Sequence, residues 1–163
     1  MVFTCHLLVV ANRTVDSPEL MVALTERAQQ GPIAVTLLAP VAYHEREQAE
    51  RRLSNAVERL RERGIQAEVL VGDSDPMVAV QEAWDPGRYD EVVVSTFATG
   101  TSRWMLIDLP HRVARMTGAA VKHVVSPEPL PDLPPAPPPR PRARPAWTAT
   151  LYSFLRTRSA KRV

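Results

Sequence analysis

The sequence is poor in cysteine and aromatic residues, and it has no long apolar run. Its 163 residues include one cysteine, Cys5, so no disulfide can form within the chain. No apolar stretch approaches the roughly 20 residues that a membrane-spanning helix needs. No charged and then apolar leader precedes His6. These absences predict a cytoplasmic protein that does not cross a membrane.

The familiar catalytic and metal-binding motifs are also missing. The chain has no Gly-x-Ser-x-Gly elbow, no P-loop and no dinucleotide fingerprint. None of its four histidines has metal-ligand spacing to a cysteine, an aspartate or another histidine. The best acid-base pair is Asp108 with His111 on one helical face, and such a pair beside a helix start is more often structural. We therefore expect a protein without enzymatic activity and without a metal site.

Proline and positive charge are concentrated at the carboxyl end. Ten of the 16 prolines fall in residues 127–145. Residues 1–125 carry 13 Lys and Arg against 16 Asp and Glu, and residues 126–163 carry 7 against 2, so the formal charges are −3 and +5. The pattern predicts an acidic domain over residues 1–125, a proline-rich basic linker over 126–145 and an amphipathic basic segment over 146–163.

Apolar strands and helical patterns alternate along the acidic domain. Short apolar runs predict buried strands, and the segments between them have the 3.6-residue apolar period of helices. The predicted strands are His6–Ala11, Ile33–Val41, Ile65–Val71, Val92–Val94 and Ala120–Val125. Five strands that alternate with four helices predict an α/β fold with a doubly wound parallel sheet in the order 3-2-1-4-5 and helices on both faces.

This strand order predicts where a ligand binds. Successive strands are added to the sheet in one direction from strand one to strand three and in the other direction from strand four. Open sheets bind ligands where this direction reverses, between strands one and four, beside the carboxyl ends of the strands. The residue types that follow these strands offer backbone amides, hydroxyls and positive charge. The candidate ligand-binding residues are Asn12, Arg13, Val41, Ser95, Thr96, Ala98, Gly100, Thr101, Ser102 and Arg103.

The stretch from Gly100 to Arg103 is a second candidate for an anion-binding site. Its backbone amides and the planar guanidinium of Arg103 suit a phosphate or a carboxylate. The alternative is a loop that caps a short helical turn at Ser102, with Arg103 paired to an acidic neighbour. The sequence leaves both interpretations open.

The chain from His6 to Val125 resembles a universal stress protein in the order and length of its elements. Three stretches carry the resemblance: VVANRT followed by SPEL, the third-strand stretch VGDSDPMVAVQEA, and the final GAAVKHVV. The resemblance implies a Rossmann-like fold and a homodimer that pairs through the last strand, Val121–Val125. Nucleotide-binding members of that family are similar in having an acidic residue after strand one and a Gly-x2-Gly-x9-Gly-Ser/Thr loop after strand four.

The chain departs from that nucleotide pattern at each compared position. The loop spacing puts Ser95, Ala98 and Asp108 at the three glycines and Leu109 at the hydroxyl, while Asn12 stands at the acid. Asp108 is also followed by a proline two residues later, which is typical of a helix start. We expect its carboxylate to occupy the amides that a phosphate needs. A nucleoside is therefore expected to fit better than a triphosphate.

The carboxyl-terminal segment has apolar residues in helical phase. Large apolar side chains recur at i, i+4, i+7 and i+8 from Trp147, with basic residues behind them. This predicts a short amphipathic helix on a stiff polyproline arm, and a disordered solvating tail is the alternative. It would suit an anionic membrane surface, a partner's groove, its own domain or RNA. The candidate docking residues are Arg140, Arg142, Arg144, Trp147, Leu151, Phe154, Leu155, Arg156 and Arg158.

Two functions follow from these observations. The favoured one is a non-catalytic regulatory or binding module that docks a protein or an anionic partner, such as RNA, the ribosome or a membrane surface, through its basic tail. The alternative is a stress sensor that binds ATP, AMP or cyclic AMP between strands one and four, with slow nucleotide hydrolysis at most. No cofactor is expected in the first case, and a weakly bound adenine nucleotide is expected in the second.

Overall fold

The computed structural model describes residues 3–98 and 108–127, in which strands and helices alternate. The strands are β1 (Cys5–Val10), β2 (Ile33–Pro40), β3 (Gln66–Gly72), β4 (Glu91–Phe97) and β5 (Ala120–Ser126). The helices in these ranges are α1 (Pro18–Gln29), α2 (Arg46–Arg61), α3 (Pro76–Ala83) and α4 (Leu109–Thr117). A short 3-10 helix, Tyr43–Glu45, precedes α2.

The five strands form one parallel sheet in the order β3-β2-β1-β4-β5. This confirms the α/β fold and the strand order expected from the sequence. The largest difference in strand bounds is at β4, which runs from Glu91 to Phe97 instead of ending with the apolar run Val92–Val94. The polar residues Ser95 and Thr96 belong to the strand because they too are buried in the sheet.

Two hydrophobic layers cover the two faces of the sheet. Leu7 and Val9 of β1 belong to the layer formed with α1 and α2, whereas Leu8 and Val10 belong to the layer formed with α3 and α4. All four side chains are 0% exposed, so the central strand is buried on both faces, as is usual for parallel sheets. Each such burial contributes about 1.5–3 kcal/mol. Helices therefore lie on both faces, as predicted.

The start of α1 and the end of β5 are held together by two serines. The Ser17 hydroxyl caps α1 by accepting the amide of Leu20 at 3.2 Å, and Pro18 fills the first helical position. The Ser126 hydroxyl donates to Ser17 Oγ at 2.9 Å. The carboxyl edge of the sheet is thus tied to the helix that begins beside it.

Several predicted features lie outside the described residues. They are the loop residues Gly100 to Arg103, the proline-rich linker beyond residue 127 and the amphipathic segment 146–163. Within residues 3–98 and 108–127, no helix has the length and apolar character needed to cross a membrane.

Candidate functional site

The candidate site is the crevice at the carboxyl ends of β1 and β4. These strands are neighbours in the sheet, but the chain leaves them toward opposite faces, because α1 packs on one face and α4 on the other. The two sides of the crevice are joined by the hydroxyl of Thr14, which donates to the carbonyl of Ser95 at 3.0 Å. This is the position at which doubly wound sheets bind ligands.

Asn12 stands at the end of β1 with its amide already engaged. Its Nδ2 donates to the carbonyl of Pro40 at 2.9 Å, and its Oδ1 accepts a hydrogen bond from Arg52 Nη2 at 3.2 Å. Only this orientation of the amide satisfies both neighbours, since a carbonyl must accept and a guanidinium must donate. Asn12 therefore links the ends of β1 and β2 to helix α2 and keeps one donor for a ligand.

Arg13 brings positive charge to the rim of the crevice. Its guanidinium lies 5.5 Å from the centre of the Phe97 ring, which is a cation-π distance, and the side chain is exposed. Phe97 ends β4, so this contact spans the crevice opening from the β1 side. No carboxylate of the described residues lies within salt-bridge distance of Arg13.

The hydroxyl candidates of β4 lie below the surface of the crevice. Ser95 is 1% exposed and Thr96 is 2% exposed. Thr96 Oγ1 is 2.8 Å from His123 Nε2 of β5, whereas Ser95 Oγ has no hydrogen-bond partner in the described parts of the chain. Ala98 is exposed at the end of β4, and its amide donates to the Ser126 carbonyl at 2.8 Å. Of these three residues, Ala98 alone is exposed.

Val41 lies one strand away from the crevice. It is 7% exposed and lines a cleft of about 330 Å³ at the carboxyl ends of β2 and β3. Tyr43, Gly72 and Asp73 line the same cleft. Of the predicted ligand-binding residues that the structure describes, Asn12, Arg13 and Ala98 thus lie at the β1–β4 opening and Val41 lies beside it.

The prediction that the Asp108 carboxylate caps the last helix is wrong. Asp108 precedes α4 in a left-handed conformation with φ 52° and ψ 46°, and its side chain makes no capping hydrogen bond. A capping side chain needs an extended backbone at this position. In the left-handed conformation the Asp108 carboxylate instead contacts the ring of His111, with 2.7 Å between Oδ1 and Nδ1. The Asp108 carboxylate therefore does not occupy the first amides of α4.

The Asp108–His111 pair is a solvent-exposed contact. The two side chains are 66% and 82% exposed, so water screens their interaction. The pKa of His123 on β5 is lowered by partial burial, while the Asp108 carboxylate acts in the opposite direction. No group of three His, Cys, Asp or Glu within residues 3–98 and 108–127 has the geometry to hold a metal.

Sequence reasoning missed Arg52, which the fold brings to Asn12. Arg52 is half-buried on α2, and its Nε is buried without a hydrogen-bond partner in the described ranges. The sequence did contain a signal, because Arg52 is three residues after Ala49 and four before Ala56 and so lies within the buried stripe of α2. Burying an unpaired charge costs free energy, so a charged residue on a buried stripe is expected to have a partner or to contact a ligand.

Comparisons with known proteins agree with the fold. No protein-family model and no curated protein sequence matches the chain. Among solved structures, the chain is similar to a universal stress protein from Archaeoglobus fulgidus, with 18% identity, a TM-score of 0.54 and coverage of 76% of this chain and 95% of that one. The chain is also similar to a structure of the universal stress protein from Archaeoglobus fulgidus in complex with dAMP. The identity is 16%, the TM-score is 0.52, and the match covers 76% of this chain and 99% of that one.

A universal stress protein family protein from Arabidopsis thaliana with AMP bound is also similar. It gives 13% identity, a TM-score of 0.51, and coverage of 76% of this chain and 93% of that one. The chain therefore has the fold of universal stress proteins, as its sequence resemblance implied. At these identities the likeness concerns the fold alone.

Proposed function

We propose that this protein is a non-catalytic binding module whose β1–β4 crevice takes an adenine nucleotide. The observation that carries the proposal is that two arginines lie near the end of β1: Arg13, which follows the strand, and Arg52 of α2, which contacts Asn12. Arg13 contacts an aromatic ring and Arg52 contacts a neutral amide, and neither lies within salt-bridge distance of a carboxylate in the described ranges. Two uncompensated cations beside a strand-order reversal favour an anionic ligand.

The conformation of Asp108 removes the main objection to a phosphate. From the sequence alone, a capping carboxylate would have competed with a ligand at the start of α4, and this favoured docking through the tail over nucleotide binding. The Asp108 side chain is engaged with His111 instead. Structures of the same fold have been solved with dAMP and with AMP, which supports a nucleotide as the ligand to test first.

A monophosphate suits the crevice better than a triphosphate. A phosphate monoester carries roughly −1.5 to −2 charges at pH 7, which two guanidinium groups can balance. The additional charges of a triphosphate would need further cations.

Calorimetric titration of the full chain tests the proposal. AMP, ATP, cyclic AMP and adenosine are compared at one ionic strength, and bound nucleotide is first removed from the purified protein. We expect AMP to bind with a dissociation constant in the micromolar range and ATP to bind more weakly. Absent or millimolar binding of all four compounds would overturn the proposed function.

Docking of a protein or anionic partner through the tail stays a second candidate. The sequence favours it, because the segment after residue 125 carries +5 charges and keeps four large apolar residues in helical phase from Trp147. The test compares partner recovery by the full chain with recovery by a chain ended at Ser126. Recovery that depends on Trp147 and Phe154, each replaced by Ala in the full chain, supports docking, and equal recovery by both chains excludes it.

The homodimer through β5 also remains a proposal. In the described ranges β5 pairs with β4 on one side, and Val125 is 44% exposed. An open strand edge with exposed apolar residues tends to pair with another chain. We expect light scattering to give twice the chain mass of 18.1 kDa. A monomer at micromolar concentration would exclude this dimer.

A further inference from the structure

We propose that Arg52 binds the phosphate group of the crevice ligand and that Asn12 holds its guanidinium in position. This inference rests on the proposed function and deepens it, because it names the residue that makes the site select an anion. It also assigns the phosphate to the β1–β2 side of the crevice and not to the start of α4. Arg52 lies on α2, outside every segment that the sequence predicted to bind a ligand.

The first support is the charge environment of Arg52. Two other arginines of the same helix are neutralised locally, since Arg46 pairs with Glu50 and Arg51 pairs with Glu47. The four positions that a helix brings next to Arg52 hold no acid. They are Gln48, Ala49, Asn55 and Ala56. No carboxylate from the other described elements lies within salt-bridge distance of Arg52 either.

The second support is the count of hydrogen bonds at the guanidinium. An arginine side chain has five N–H donors. In the described parts of the chain, Arg52 uses Nη2 to donate to Asn12 Oδ1, and the buried Nε has no acceptor. A half-buried cation with one neutral partner is poorly compensated, and such groups are retained mainly where they meet a ligand or partner.

The third support is the way the neighbouring groups fix this cation at the crevice. Asn12 cannot rotate freely, because its Nδ2 is held by the Pro40 carbonyl. Its Oδ1 is therefore directed at Arg52 and orients the guanidinium beside the end of β1. Further along the helix, Arg59 Nη1 donates to the Asp16 carbonyl at 2.7 Å, so α2 is fixed to the β1–α1 loop independently of Arg52. Arg52 is not needed to dock the helix.

A guanidinium held in this way selects phosphate by charge and shape. Its planar fork matches two oxygens of a phosphate. A bound phosphate would give the Arg52 charge strong charge-assisted hydrogen bonds in addition to its contact with the neutral Asn12 amide. Adenosine lacks that group and gains nothing from Arg52. The affinity ratio of AMP to adenosine therefore reports on this contact, whereas damage to the shape of the crevice would weaken both compounds together.

The experiment titrates AMP and adenosine into the full chain carrying Arg52→Met, with Arg51→Met as the matched control. Both variants remove one positive charge from adjacent positions of α2, but Arg51 is exposed and paired with Glu47. We expect Arg52→Met to lower AMP affinity about 10-fold or more and to leave adenosine affinity within about 2-fold. Arg51→Met is expected to leave both affinities within about 2-fold.

The outcomes separate this inference from the proposed function. If the wild-type protein binds AMP but Arg52→Met and Arg51→Met bind it equally well, Arg52 is not the phosphate contact, while the nucleotide-binding function stands. If Arg52→Met weakens AMP and adenosine alike, its role is structural and the inference fails. If the wild-type protein binds neither compound, both proposals fail. Should Arg52→Met not fold, Arg52→Lys keeps the charge and is expected to retain part of the preference for AMP.

Discussion

The arginines at the two ends of the parallel sheet have different partners. At the amino end, Arg27 of α1 reaches the Glu91 carboxylate through both Nε and Nη2, with contacts of 2.7–3.3 Å. At the carboxyl end, within residues 3–98 and 108–127, Arg52 contacts the neutral amide of Asn12 and Arg13 contacts the ring of Phe97, and neither has a carboxylate at salt-bridge distance. Among the described residues, a carboxylate compensates the arginine at the amino end, and none compensates the two arginines at the carboxyl end.

The amino end is built for stability. Glu91 also accepts a hydrogen bond from the Cys5 thiol at 3.5 Å, and the Asp90 carboxylate accepts the His6 amide at 2.8 Å. Burial, and then the nearby Glu91 carboxylate, raise the pKa of Cys5, so the thiol stays protonated and acts as a donor. The Arg27 guanidinium, the Glu91 and Asp90 carboxylates and the Cys5 thiol thus each have a hydrogen-bond partner.

At the carboxyl end, some buried polar atoms of the described residues lack hydrogen-bond partners. Ser95 Oγ and Arg52 Nε are buried without partners in the described ranges and lie near the ends of β4 and β1, but Tyr89 Oη, just before β4, and Glu19 Oε2 of α1 share that property. Incomplete satisfaction of buried polar groups costs stability, and functional sites are among the places where it is tolerated. Buried atoms without partners therefore do not locate the crevice by themselves, and what distinguishes it in the described ranges is that its arginines lack a carboxylate.

The largest expected effect on stability is that of Arg27→Met. The substitution leaves the Glu91 carboxylate, 32% exposed, without its cation, so we expect a loss of about 2 kcal/mol in the free energy of unfolding. Arg52→Met is expected to change it by less than about 0.5 kcal/mol, since the partner of Arg52 in the described parts of the chain is the neutral amide of Asn12. Urea unfolding followed by circular dichroism measures both. Equal losses in the two variants would break the comparison.

The second prediction concerns Asn12→Asp. A carboxylate at this position would neutralise Arg52 and repel a phosphate, so we expect AMP affinity to fall about 10-fold. Gln66→Glu at the exposed start of β3 is the control, because it makes the same change from amide to carboxylate at the opposite end of the sheet. Retention of AMP affinity in the Asn12→Asp protein would show that open charge at this end is not used for binding.

The third prediction is a pH dependence at the amino end. Hydrogen bonding to Arg27 lowers the pKa of Glu91 below its ordinary value of 4.5. A carboxylate with a lowered folded-state pKa contributes stability above its unfolded value, and this contribution is lost as pH falls through the folded one. The stability gap between wild type and Arg27→Met is therefore expected to shrink below pH 4.5. A gap that is equal at pH 6 and pH 3 would contradict the ion pair's role.

The smallest expected effect is that of Cys5→Ser. A serine hydroxyl can donate to Glu91 as the thiol does, so we expect a change within about 0.5 kcal/mol in the free energy of unfolding. Cys5→Ala, which removes the donor and leaves a small cavity, is expected to cost about 1 kcal/mol. If both variants unfold at the wild-type urea concentration, the thiol contact contributes nothing to this end of the sheet.

The sheet itself could be predicted from the sequence. Apolar runs such as that of β1 and the Ser17-Pro18 helix start are local signals, and the connection rules for parallel strands then restrict the order to few choices. The expected order matched the observed one, and the bounds of β2 and β5 differed by one residue. Local patterns suffice where the structure follows local preferences.

The site could be predicted only in part. Asn12 and Arg13 were found because strand ends in this topology are predictable. Asp108 was misjudged because its left-handed backbone, with φ 52°, is unusual for a residue other than glycine and is set by its surroundings. Arg52 was missed because its contact with Asn12 joins residues 40 positions apart in the sequence. Its position on the buried stripe of α2 was the one available signal.

A crystal structure of the full chain with AMP would test the central claim most directly. The account predicts the phosphate within hydrogen-bond distance of the Arg52 guanidinium, with Asn12 still bonded to the Pro40 carbonyl. A phosphate seated on the first amides of α4 while Arg52 contacts Asn12 alone would contradict it, and so would an empty crevice at saturating AMP.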